Sequence, residues 1–277
     1  MTKKTNKYKN RNKNVPIFIL FSIKMAQMFD IVIPVGPNDS KKVIQQLEYT
    51  KKNIVGYRHI YLVSFDASLN ISGTITIDER IFPFNIMSVA SIHGKNGRNG
   101  WYLQQLLKLY AGIVIPDILP RYLVIDSDTF FIKPTTFVSD TNKCMYNYGF
   151  ENHVPYFDHG RRLLPYFRRE IANMSGICHH MMFETKYVVE FMNAVLETNK
   201  RLSMSFWEIF LHMVSPEHYL HSGASEYELY FNYMIHNHSD EIVIRQLPWK
   251  NSNTKRDLTN NKQFNYVSIH WYMDTDK

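Results

Sequence analysis

Tyr122-Leu123-Val124-Ile125-Asp126-Ser127-Asp128-Thr129-Phe130-Phe131 runs an apolar stretch straight into two carboxylates one residue apart, then into two aromatics. A strand that is apolar on both faces belongs at the centre of a covered sheet. Carboxylates at its carboxyl end sit where open α/β sheets place their ligands. Two hard oxygen donors that close together suit Mn²⁺ or Mg²⁺, and such a cation can hold a diphosphate. The plainer alternative is a solvated turn, since Asp is common in turns.

Working outward, Phe29 to Val35 (FDIVIPV) has the character of a buried strand. Gly36-Pro37-Asn38 is a turn signal, and Asp39 or Ser40 caps a helix with apolar residues at Val43, Ile44 and Leu47. His59 to Ser64 and Thr74 to Ile77 are further strands, and Asn99 to about Gly112 is a helix entered through a loop with Gly94, Gly97 and Gly100. This β-α-β-β-α-β order predicts an α/β fold with a mixed, mostly parallel Rossmann-type sheet and flanking helices. Downstream, strands are expected at 143–149, 177–183, 241–247 and 266–270, and helices at 186–197, 206–214 and 225–237. There is no repeat and no interior Gly-, Ser- or Pro-rich linker. The expectation is one domain over 25–277, with a nucleotide-side half followed by an acceptor-side half. The stretch from Asn142 to Pro216 is only loosely patterned.

Composition narrows the class. Hydrophobic residues at 45% and aromatics at 14% supply a core, which excludes a disordered chain. The net charge is +7, but Lys3, Lys4, Lys7, Lys9, Arg11 and Lys13 account for six of those charges, leaving a near-neutral body. Residues 1–24 therefore read as a basic disordered tail followed by a short apolar segment, Val15 to Ile23, well below the ~20 residues of a spanning helix. No small-residue cleavage site follows it, and Met25 or Met28 is an alternative start. At most, the tail makes a weak membrane-surface contact. Two cysteines, Cys144 and Cys178, fit a reducing compartment and exclude a four-cysteine zinc site.

Other candidate residues surround the carboxylates. In the helix from Asn99, Leu103, Leu106, Leu107 and Tyr110 form a core-facing stripe. The opposite side carries Arg98, Trp101, Gln104, Gln105 and Lys108, a face suited either to a sugar diphosphate or simply to solvent. Ser225-Glu226-Tyr227-Glu228 opens a helix as a capping box, which explains Glu228 structurally. Glu226 falls at the first helical position, where the dipole favours its ionised form, and is a candidate general base at the rim of a cleft. His270 ends the last strand. His179 and His180 alternate across theirs, so at most one enters a given cleft. Asn173-Met174-Ser175-Gly176 before them is a tight turn. No P-loop, nucleophile elbow, H-E-x-x-H helix or C-x-x-C pair is present.

With these residues in place, the sequence resembles GT-A type glycosyltransferases, near the small glycosyltransferase-like families of bacteria and large DNA viruses. The resemblance rests on Ile31 to Val35, on Gly100 to Leu109 (GWYLQQLLKL), on Leu123 to Asp128, and on Ser268-Ile269-His270-Trp271. It implies a GT-A-like fold and transfer of a sugar from a UDP- or GDP-sugar to a glycan, protein or lipid acceptor. It implies Mn²⁺ (or Mg²⁺) at Asp126, Asp128 and His270, with Ser127 between the two carboxylates. Pro34, Val35, Gly36 and Asp66 would contact base and ribose, beside the helix residues Arg98, Trp101, Gln105 and Lys108. Glu226 matches the acidic base of inverting members, although their usual Glu-Asp pair reads Ser225-Glu226 here, so inversion and retention both stay open. A cytoplasmic enzyme is expected, since a Golgi-type anchor is lacking. Two other readings compete. One is a nucleotidyltransferase on a similar sheet, for which Pro34-Val35-Gly36-Pro37 is a poor phosphate grip. The other is a nucleic-acid-binding protein acting through its tail, which the near-neutral body argues against.

Overall fold

A computed structural model describes residues 28–261, 263–270, 273 and 275; the basic tail, the apolar segment after it and Trp271 lie outside the described residues. In chain order the elements are β1 (Phe29–Val35), α1 (Ser40–Asn53), β2 (Ile54–Val55), β3 (Tyr57–Ser64), β4 (Ile75–Asp78), α2 (Ile86–His93), α3 (Asn99–Val114) and β5 (Arg121–Ile125). There follow β6 (Thr129–Phe131), β7 (Thr135–Thr136), β8 (Cys144–Tyr146), α4 (Val154–Leu163), β9 (His180–Glu184), α5 (Thr185–Thr198) and α6 (Phe206–His212). The remainder is α7 (Glu226–His238), β10 (Ile242–Ile244), β11 (Trp249–Asn251), α8 (Asp257–Asn260) and β12 (Tyr266–Ser268).

The main sheet has the order β4-β3-β1-β5-β9. Its first four strands are parallel and β9 is antiparallel to β5, so the sheet is mixed and mostly parallel as expected. Every residue of β1 and the last four of β5 are buried, because helices cover both faces of a central parallel strand. The register pairs Val32 with Val124 and Val35 with Ser64, which brings the carboxyl ends of β1, β3 and β5 to one edge. A second sheet, β11-β12-β6, adjoins that edge through β6, which follows β5 after three residues.

Helix α3 packs on β1 and β5 and is itself covered by α2, α5 and α7. Leu103, Leu106 and Leu107 are buried as the stripe predicts, but Gln105 and Lys108 are buried too. The polar side of α3 is thus an internal face and not a solvated one, because α7 lies over it. Two helices lie where the sequence shows little periodicity. Helix α2 is nucleated by a capping box between Asn85 and Ser88. Helix α4 carries Pro155 in its first turn and falls inside the loosely patterned stretch. Strand β9 begins at His180 and not Ile177, because His179 takes a left-handed φ of 63° and breaks the extended run. Cys144 and Cys178 are both buried free thiols. Among the described residues no helix is long and apolar enough to cross a membrane.

Candidate functional site

The turn after β5 is built from backbone bonds that draw three distant segments together. Thr129 N donates to Asp126 O at 3.0 Å and closes the turn. Asp126 N donates to His179 O at 3.0 Å, tying the turn to the entry of β9. Ile269 N donates to Asp128 O at 2.9 Å, which delivers His270 from the end of β12. From the β1 side, Gly36 N donates to the Asp39 carboxylate at 3.3 Å and Asp39 N donates back to Gly36 O at 3.0 Å. A Cβ on Gly36 would come within 2.9 Å of that carboxylate, which would have to shift to admit it. Lys42 Nζ donates to Ile269 O at 3.0 Å and joins α1 to the same edge.

Asp126 and Asp128 have different surroundings. Asp126 Oδ1 accepts from Lys108 Nζ at 2.6 Å and from the Tyr227 hydroxyl at 2.8 Å. Lys108 also donates to Glu226 Oε1 at 2.7 Å and lies over the Tyr227 ring at 4.3 Å. Burial pushes the Asp126 carboxyl up, but Lys108 and His179 outweigh it and hold the group well below the usual carboxylate range. Burial also works against the Lys108 charge, yet Asp126 and Glu226 together raise its pKa. Burial wins at Glu226, whose pKa is raised despite Lys108. Two carboxylates thus share one ammonium.

Asp128 instead faces His270, with Nδ1 at 2.9 Å from Oδ2, while its Oδ1 is buried without a hydrogen-bond partner. Burial lowers the His270 pKa, but the hydrogen bond to Asp128 outweighs it and the net shift is upward. His179 places Nδ1 at 3.6 Å from Asp126 Oδ2, leaves Nε2 buried and unpartnered, and sets its ring 4.8 Å from His270 and 4.9 Å from Trp249. Asp39 also belongs here: burial raises its pKa, opposed by the Ser127 hydroxyl and reinforced by Asp128. Asp126, Asp128, His179 and His270 therefore form one connected set of carboxylates and imidazoles. Asp128 pairs with His270 and Asp126 faces His179, and among the described residues no three metal-binding side chains are already arranged around one point.

A family model described as a family of unknown function (DUF6492) matches residues 68–274. The chain belongs to the DUF6492 family. The match takes in β5, the Asp126–Asp128 turn, His179 and His270. No curated protein matches this DUF6492 chain. Among solved structures, mouse xyloside xylosyltransferase 1 in its apo form is similar to it at 11% identity and a TM-score of 0.44, over 89% of this chain and 99% of that one.

Of the residues expected from sequence, this DUF6492 chain brings together Gly36, Lys108, Asp126, Ser127, Asp128, Glu226 and His270. Pro34 and Val35 lie buried at the end of β1, and Asp66 follows β3 at the same edge, where the Ser68 side-chain and backbone bonds hold its carboxyl low. Glu226 is not at a rim. It is 3% exposed, its N–H donates to Gln105 Oε1 at 3.2 Å, and Lys108 occupies its carboxylate. Only half of the expected capping box forms: Glu228 N donates to Ser225 Oγ, but the Glu228 carboxylate accepts from Ser175 and Asn232. Arg98 and Trp101 belong elsewhere. Arg98 lies over the Trp101 ring at 4.3 Å, reaches Ser222, and lines a cavity of about 500 Å³ with His153, His218 and His221. Ten residues of helix put it about 15 Å from Lys108. The residues that sequence reasoning left out of the site are Asp39, His179 and Tyr227. The His179-His180 pair was a signal, and the structure resolves it: His179 enters the site, while His180 packs among Phe131, Phe137 and Tyr266.

Proposed function

We propose that this chain transfers a sugar from a nucleotide-diphosphate donor to an acceptor hydroxyl with the help of a divalent cation. The observation that carries the reading is the unequal pair at the carboxyl end of β5. Asp126 gives one oxygen to both Lys108 and Tyr227, while Asp128 has a buried oxygen without a partner and an imidazole beside it. An unpaired buried carboxylate oxygen next to a nitrogen donor is a chemical fit for Mn²⁺ or Mg²⁺. Asp128 and His270 would hold the ion, which when bound supplies positive charge to a departing nucleoside diphosphate.

The rest of the reading concerns the chain's own groups. Asp66 and the Gly36–Asp39 turn border the edge where a base and ribose would lie. Lys108 fixes Asp126 as an ionised acceptor, and Glu226 serves as its buried counter-charge, acting through Lys108 and not on the acceptor hydroxyl. The nucleotidyltransferase alternative needs free backbone N–H groups near β1 to grip phosphates. Here the Gly36 and Asp39 N–H groups are already bonded within their own turn. A nucleic-acid role for the tail concerns residues outside those described.

The test is a thermal-shift and hydrolysis panel of UDP- and GDP-sugars with and without Mn²⁺. Cation-dependent stabilisation and release of UDP or GDP are expected, with Asp128→Asn abolishing both while leaving the fold intact. Release of pyrophosphate would point to the nucleotidyltransferase. Full cation-dependent turnover by Asp128→Asn would end the proposal.

A further inference from the structure

His179 stands in a conformation that side chains other than glycine rarely adopt, at the entry of a strand and inside the carboxylate cluster. Strained non-glycine residues persist where the surroundings demand them, and they collect at functional sites. A glycine would meet the backbone requirement with no strain, so the imidazole stands in the cluster at a backbone cost.

Three further observations say what the ring faces. Its Nδ1 lies 3.6 Å from Asp126 Oδ2, and its own carbonyl accepts the Asp126 N–H at 3.0 Å, so ring and backbone are both tied to the turn after β5. Its faces and edges are set by Trp249 at 4.9 Å and His270 at 4.8 Å. Its Nε2 is buried without a partner, as is Asp128 Oδ1 in the same cluster. The neighbouring His180 provides an internal contrast. Its Nε2 is also unpartnered, but it is enclosed by the rings of Phe131, Phe137 and Tyr266, where nothing ionic could bind. His179 is surrounded by carboxylate and imidazole.

We infer that His179 is a further nitrogen donor to the divalent cation that Asp128 and His270 would hold, an inference that rests on reading this edge as a cation site. At present Asp128 pairs with His270 and His179 faces Asp126, and the ion would replace the Asp128–His270 contact. A set of one carboxylate, Asp128, and two imidazoles, His179 and His270, takes first-row ions such as Mn²⁺ and Co²⁺ in preference to Ca²⁺, which favours oxygen alone.

The experiment uses the full chain and the metal alone. Mn²⁺ binding is followed by electron paramagnetic resonance, and Co²⁺ binding by visible absorption, for the unaltered chain, His179→Asn and His179→Gly. Asparagine tolerates a left-handed backbone and glycine removes the strain altogether, so a folded variant is secured either way. Both variants should bind Mn²⁺ at least about tenfold more weakly and show an altered Co²⁺ spectrum, while melting no earlier than the unaltered chain when metal is absent. Mn²⁺ affinity within twofold of the unaltered chain in either folded variant overturns the assignment. So does an unaltered chain that binds neither ion. Nucleotide-sugar hydrolysis, measured separately, keeps the two readings apart. Loss of metal binding in the variants with no hydrolysis by any chain would leave His179 as a ligand and remove the transferase reading. Hydrolysis that persists with unchanged Mn²⁺ binding in the variants would do the reverse.

Discussion

Replacing Lys108 by Met removes one ammonium and strands two carboxylates. Lys108 is 4% exposed and its contacts to Asp126 and Glu226 are 2.6 and 2.7 Å. Removing one partner of a buried ion pair costs about 3–5 kcal/mol, because a buried charge is left uncompensated. A second route gives the same scale. With the cation gone, one carboxyl is expected to take a proton, and Glu226 is the easier one because burial already raises its pKa. Holding an ordinary Glu neutral at pH 7 costs at most about 4 kcal/mol, from 1.36 kcal/mol per pH unit above a pKa of about 4.3. Against a typical domain stability of about 5–15 kcal/mol this is a large loss. Urea denaturation of Lys108→Met at pH 7 should show a deficit of about 3–4 kcal/mol. Adding Glu226→Gln should recover part of it, since it removes the carboxyl that would be held neutral and leaves Asp126 with Tyr227 and His179. The deficit should also shrink towards pH 5, where the unfolded chain's Glu226 nears its ordinary pKa and the cost of holding the group neutral falls. A single-variant loss below about 1 kcal/mol, as for an exposed pair, or strictly additive losses in the double variant, would refute the shared-ammonium arrangement.

Buried neutral histidines set an acid limit. Burial lowers His159 to about 4 and His180 to about 3. Their folded pKa values lie below the unfolded value of about 6.5, so the unfolded chain binds protons first as pH falls. Their stability is therefore intact above pH 6.5 and declines below it. Each should contribute a loss of about 2 kcal/mol by pH 5, and His159→Gln should flatten the urea midpoint-versus-pH slope by roughly half of that pair's share; an unchanged slope would count against neutral burial. At the other end of α3, Arg98→Ala should leave Mn²⁺ and nucleotide-sugar affinities within about twofold, because Arg98 lines the histidine cavity about 15 Å from Lys108. A tenfold loss measured by calorimetry would return Arg98 to the donor site.

Much of the fold was legible because its signals are local. The apolar runs at β1 and β5 announce strands covered on both faces, and the carboxylates that end β5 announce the ligand edge. The sequence marks helix α3 as amphipathic and leaves its polar face open between ligand and solvent, because a periodic pattern reports residue type and not what covers the polar side. Burial of Gln105 and Lys108 depends on α7, more than a hundred residues away, and only the fold reveals that Lys108 pairs with Asp126 and Glu226. The same limit applies to Glu226, whose position at the start of α7 was legible but whose seat beneath Lys108 was not. His179 escaped because strand alternation says nothing about a residue that leaves the extended region. Helix α4 is hard to read because its buried stripe, Tyr156, Phe157, His159, Gly160 and Leu163, includes a histidine and a glycine that do not announce an apolar face.

His270 meets Asp128 across 142 positions of chain, through a backbone bond that forms only when β12 has paired with β6. The main sheet contains neither of those strands. Closing so long a loop is entropically slow, and it gains nothing until the last contact is made. The candidate site is therefore the product of two sheets: the main sheet supplies Asp126 and Asp128 at the end of β5, and His270 reaches them only through the pairing of β12 with β6.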